Sequence, residues 1–94
     1  RFAPIRAPRP GAPGGSLRVR VEAAAVGRGA LEPKVYNVEA SDLAEVVYRI
    51  ASDLRAKGTR VAVIGCDQEP CLYAILVIDE PGSAAIVVIS KEEP

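Results

Sequence analysis

The chain has 94 residues, enough for one small domain with a modest core and too few for two. It contains no His, which removes the commonest general base, the hydrolytic triads and most zinc sites, and it has no run of eighteen apolar residues that could span a membrane as a helix. The charges cancel at twelve of each sign, but unevenly: residues 1–26 hold five Arg against Glu22 alone, a net of +4, and residues 27–94 hold seven basic against eleven acidic groups, a net of −4.

The first part of the chain is rich in breakers. Pro4, Pro8, Pro10 and Pro13 alternate with Gly11, Gly14 and Gly15, so residues 1–15 are expected to form no regular element. Residues 1–26 are therefore set apart as a basic arm and residues 27–94 as a single small α/β domain. Two readings of the arm stand side by side. In one, Leu17, Val19 and Val21 alternate with Arg18 and Arg20 to make a first strand over residues 17–26. In the other, the Arg-rich, nearly acid-free arm is the tail of a targeting peptide. In particular, LRVRVEAAA resembles the end of green-algal chloroplast transit peptides, which would imply a plastid location; without that remnant the chain is read as soluble and cytoplasmic. A third use of the arm is contact with phosphate, through Arg6, Arg9, Arg18 and Arg20.

Residues 27–33 are a turn-rich connector, and KVYNV (34–38) is β-prone. The next segment is the organising element. Ser41 is a candidate N-cap, and Asp42 and Glu45 place negative charge at the positive end of the helix dipole. Leu43, Val47, Ile50 and Leu54 recur at four, three and four residues, one stripe of a 3.6-residue helix. Arg55 and Lys57 suit the last turn, and Gly58 suits the left-handed stop, so a helix is predicted over residues 41–57. Residues 59–64 then read as a strand with Val61 and Val63 on one face and Ala62 and Ile64 on the other, neither face strongly polar. Strand, helix, strand predicts a right-handed crossover between parallel strands.

Residues 66–78 (CDQEPCLYAILVI) read two ways. As β-structure, residues 67–70 form a turn into a strand over 71–78, and DEPG turns into another over 83–90, a ββαβββ meander. As a helix, Asp67 caps, Pro70 sits in the first turn, and the layout becomes βαβαβ. The β-branched ILVI favours the strand. The fold class is α+β in either case, a small two-layer sandwich. One long amphipathic helix cannot cover both faces of such a sheet, so self-association into a homo-oligomer is expected.

Across residues 47–65 (VYRIASDLRAKGTRVAVIG) the chain resembles the stage V sporulation protein S family and, more distantly, Alba. Ile50, Ala51, Leu54, Arg55, Lys57, Gly58, Ile64 and Gly65 carry the resemblance. It implies the second helix at residues 66–78, an oligomer, and a nucleic-acid-associated binding role without catalysis. Glu39 and Asp42 stand near where such proteins place phosphate-binding Lys, and the acidic body is a poor match to a polyanion.

No constellation suggests a catalytic residue, cofactor or metal. Cys66 and Cys71 are the only thiols; they read as two small, mostly apolar residues, one packing in the core, as a disulfide across a hairpin or a redox pair, or as a metal ligand or nucleophile, and alone they cannot complete a zinc site. The carboxylate pairs Asp67 and Glu69, Asp79 and Glu80, and Glu92 and Glu93 lack calcium-loop spacing and read as solvated turns. Two functions of different class follow: a nucleic-acid-associated Alba-like module, or a protein-interaction and assembly subunit.

Overall fold

The computed structural model describes residues 15–92. Six strands and one helix follow in the order β1 (Leu17–Ala25), β2 (Gly29–Ala30), β3 (Lys34–Val38), α1 (Leu43–Ala56), β4 (Arg60–Gly65), β5 (Tyr73–Glu80) and β6 (Ser83–Lys91). They form one antiparallel sheet, with β4, β5, β6 and β1 side by side and both β2 and β3 along the outer edge of β1. The fold is α+β, and of the two layouts the ββαβββ one is present, with the two-residue β2 added within the connector.

Residues 66–78 form a loop and then a strand, so the second helix of the βαβαβ layout does not form there. The β-branched side chains of β5 gain by packing on a pleated surface between two neighbours, where a helix would restrict their rotamers. Strands β3 and β4 run in the same direction, since alternate neighbours in an antiparallel sheet do, but β1, β6 and β5 lie between them. The expected crossover between paired parallel strands is thus replaced by a helix that connects the two edges of the sheet.

Of the two readings of the arm, the first strand is present: residues 17–25 form β1. β1 is an inner strand, held by β3 on one side (Val19 opposite Tyr36) and by β6 on the other (Val21 opposite Ile89). A cut near Ala25 of the transit-peptide kind would remove it from the middle of the sheet. The Gly and Pro residues of the arm up to residue 14 lie outside the described residues.

The start of α1 differs by one residue from expectation. Asp42 is the N-cap, accepting the Glu45 N–H at 3.1 Å, while Ser41 donates from its N–H (3.0 Å) and its Oγ (2.9 Å) to the Glu45 carboxylate. This reciprocal arrangement satisfies orphan donors at the helix start. It also holds the Glu45 carboxyl below its ordinary value, chiefly through the Ser41 N–H, then the Ser41 hydroxyl, with Arg49 adding a 2.8 Å ion pair one turn on. At the other end Gly58 is left-handed and the chain turns into β4.

The core lies between α1 and one face of the sheet. Leu43, Val46, Val47 and Ala51 of the helix are buried against Leu17 and Val19 of β1, Val61 of β4, Ala74 and Leu76 of β5 and Ile89 of β6. The helix packs chiefly on β4. Arg55 reaches past the helix end to donate to the Val61 carbonyl at 2.7 Å, occupying an acceptor on the free edge of β4.

Candidate interaction surface

Because side chains alternate along a strand, the register fixes what each sheet face carries. The residues between those of the core point away from α1, and most of them are also apolar. Two rows cross the sheet: Ile64, Ile75 and Val88 lie in register on β4, β5 and β6, and beside them run Ala62, Val77, Ile86 and Ala24 on β4, β5, β6 and β1. Tyr73, opposite Ser90, stands on the same face two residues before Ile75, on the side of the loop. No described element covers this face, and Ile64, Tyr73 and Ile86 are 52, 54 and 50% exposed.

Polar groups are confined to its margins. On β1, Arg18, Arg20 and Glu22 share the open face, and Arg20 Nη2 lies 3.2 Å from a Glu22 carboxylate oxygen. At the opposite corner Arg60 of β4 stands in register with Asp79 of β5. Arg18 and Arg20 are therefore brought together at the rim of an apolar surface, whereas Arg6 and Arg9 fall outside the described residues. A shallow depression of about 500 Å³ lies over the end of the sheet where Ala24 and Ala84 are small, with Val26, Val77 and Ile86 also lining it, and Ile64, Ile75 and Tyr73 stand at the other end.

The helix side has a gap of its own. Since α1 runs toward β4, a cleft of about 330 Å³ remains beside it, bounded by Val21 and Tyr36 on the β1–β3 side and by Val46 and Ile50 of the helix. Tyr36 is 48% exposed at the rim of this cleft, and Tyr48 of the helix is 47% exposed and does not line it.

Cys66 and Cys71 are disulfide-bonded with Cα atoms 4.7 Å apart, closing the loop between β4 and β5. Cys71 is 5% exposed and belongs to the core cluster, so the bridge ties the loop to the core. Gly65, just before it, is left-handed, and a Cβ there would stand 3.3 Å from the Tyr73 carbonyl. Among the described residues no group of three or more His, Cys, Asp or Glu could hold a metal ion, and no charged or polar side chain is buried. Asp67 and Glu69 are exposed in the loop, and Asp79 and Glu80 end β5, Glu80 accepting from the Thr59 hydroxyl at 3.4 Å. No helix among the described residues is long and apolar enough to cross a membrane.

The open face had a signal in the sequence. YAILVI and AAIVVI are continuous apolar runs, the pattern of strands apolar on both faces, where a sheet with one solvated face would alternate. Which residues of β1 and β4 join that face follows only from the pairing of β1 with β6 and of β4 with β5. No protein-family model, curated protein or solved structure matches this chain.

Proposed function

We propose that this chain is a non-catalytic protein-interaction module that enters an assembly through the open face of its sheet. The observation that supports this is the pair of apolar rows on the face opposite α1. The helix already builds a core on the other face, so these rows are not needed to complete it. Moving a half-exposed Ile out of water contributes about 1 kcal/mol, and several such residues are contiguous here. The nucleic-acid reading has less support, because Arg20 is already paired with Glu22 and the segment meant to supply a second helix is a loop and a strand.

A photo-crosslinking residue at position 86, compared with one at position 52 on the outer side of α1, tests the reading in native extract. The expected result is a discrete protein adduct from position 86 and none from 52. Adducts digested by nuclease would replace the reading with the nucleic-acid one, and equal labelling at both positions or at neither would end it.

A further inference from the structure

The structure carries the docking role one step further, to the identity of the partner: we infer that the open face is covered by a second copy of this chain, sheet packed on sheet about a two-fold axis. This inference rests on the docking role proposed above. Three features of the face favour a copy of itself over a different partner.

The first is size. Five strand positions about 4.8 Å apart and about seven residues long, at about 3.4 Å each, give roughly 550 Å² in projection. Side-chain relief raises the accessible area toward the about 800 Å² per partner of a standard stable interface. The face is broad and open, a shape suited to another sheet stacked about 10 Å away more than to a single peptide strand or a small ligand.

The second is charge. A surface made for nucleic acid or for a strongly charged protein carries one dominant sign. Here each margin carries both signs, Arg18 and Arg20 beside Glu22 on β1 and Arg60 in register with Asp79 across β4 and β5. Two copies can therefore approach without a block of like charge meeting its own image, the usual obstacle to isologous pairing.

The third is relief. Ala24 and Ala84 leave one end of the face low, while Ile64, Ile75 and Tyr73 raise the other. A surface with a hollow and a ridge at different places can fill its own hollow when turned on itself, as interdigitated sandwich cores require. Ile86 on β6, the central strand, sits near the middle of that surface.

Sedimentation equilibrium of the full chain over about 1 to 100 μM, the range in which interfaces of this size associate, provides the test. The expected mass is twice 9.9 kDa. Ile86→Glu is expected to weaken the dimer by about 100-fold or more at an unchanged far-UV spectrum, because it places a carboxylate at the centre of the contact. Ile86→Ser, a milder change at a half-exposed site, is expected to weaken it by about 10-fold, and Ser52→Glu on the outer side of α1 is expected to leave it intact. A wild-type chain that stays monomeric at about 100 μM would overturn the inference, and so would a dimer that survives Ile86→Glu, which would place the contact elsewhere, such as the free edge of β4. The two proposals separate cleanly. A monomer that still gives a foreign protein adduct at position 86 refutes the second copy and keeps the docking role, whereas a monomer with no adduct refutes both.

Discussion

Leu43 and Leu76 are both completely or almost completely buried, at 0 and 1% exposure, yet truncating them to Ala should have unequal costs. Leu→Ala removes three carbons, and the lost transfer free energy is about 2.4 kcal/mol at about 0.8 kcal/mol per methylene. Where surroundings do not close in, the void adds to this: about 80 Å³ at about 24 cal/mol per Å³ is a further 2 kcal/mol. Leu43 opens α1 within the core cluster and does not line the 330 Å³ cleft beside the helix, so Leu43→Ala should cost about 4 kcal/mol. Leu76 lines the 330 Å³ cleft beside the helix, so the space it leaves joins an opening that Val46 and Ile50 can move into. Leu76→Ala should then stay close to the transfer value, about 2.5 kcal/mol. Urea unfolding followed by far-UV circular dichroism, at one fixed chain concentration because association adds to apparent stability, measures both. A Leu76→Ala cost equal to or above that of Leu43→Ala would refute the claim that the cleft relieves the cavity.

Other expectations follow from local geometry. Glu45 has its folded-state ionisation lowered, so its stabilising effect is present above its ordinary value of 4.5 and is lost as pH falls through the lower folded value; the stability difference between wild type and Glu45→Gln should therefore shrink on acidification, read from thermal unfolding across that range. Gly65→Ala should destabilise more than Gly58→Ala, since both are left-handed but only at Gly65 does the new methyl approach a backbone carbonyl; about 1 kcal/mol is expected at Gly58 and more at Gly65, by the same urea assay. Reducing the Cys66–Cys71 bridge should lower stability by about 2 kcal/mol, the loop-entropy value for so short a ring, seen as a lower urea midpoint with dithiothreitol. Asp42→Ala should cost about 1 kcal/mol, the usual effect of losing an N-cap, and Ser41→Ala should cost less because the Ser41 N–H continues to bond Glu45.

Most elements are legible because they are specified locally, whereas residues 66–78 fit a strand or a helix and β2 lies within what reads as a connector. The stripe Leu43, Val47, Ile50 and Leu54, closed by Gly58, specifies a helix whatever surrounds it, and KVYNV and the DEPG turn before β6 fall where their residues suggest. The one-residue shift of the cap arose because Ser41 and Asp42 are both competent, and the Glu45 backbone and side chain together take both. The order of the strands was not legible. That β1 lies against β6, and that β3 and β4 occupy opposite edges, depends on contacts between residues far apart in the chain, which no local pattern encodes. The same gap applies to β1: LRVRVEAAA alternates as an edge or surface strand would, and its inner position makes sense only with β3 and β6 on either side. The candidate surface was readable as an excess of apolar residues but not as a place.

The pairing of β1 with β6 also orders events in time. Val21 meets Ile89 and Ala25 meets Ala85, partners separated by 68 and 60 positions, whereas β4, β5 and β6 join through nearby turns and β1 and β3 through a short connector. Two locally closed halves can thus form early, a hairpin before the helix and a meander after it, and the large loop between them is closed only when β1 and β6 meet. On a ribosome β1 emerges first and finds one flank last, holding an open hydrogen-bonding edge through the synthesis of α1, β4 and β5. Slow codons or a bound chaperone between β3 and β6 would act on that waiting edge, so an inner seam of the finished sheet is an open edge while the chain is being made.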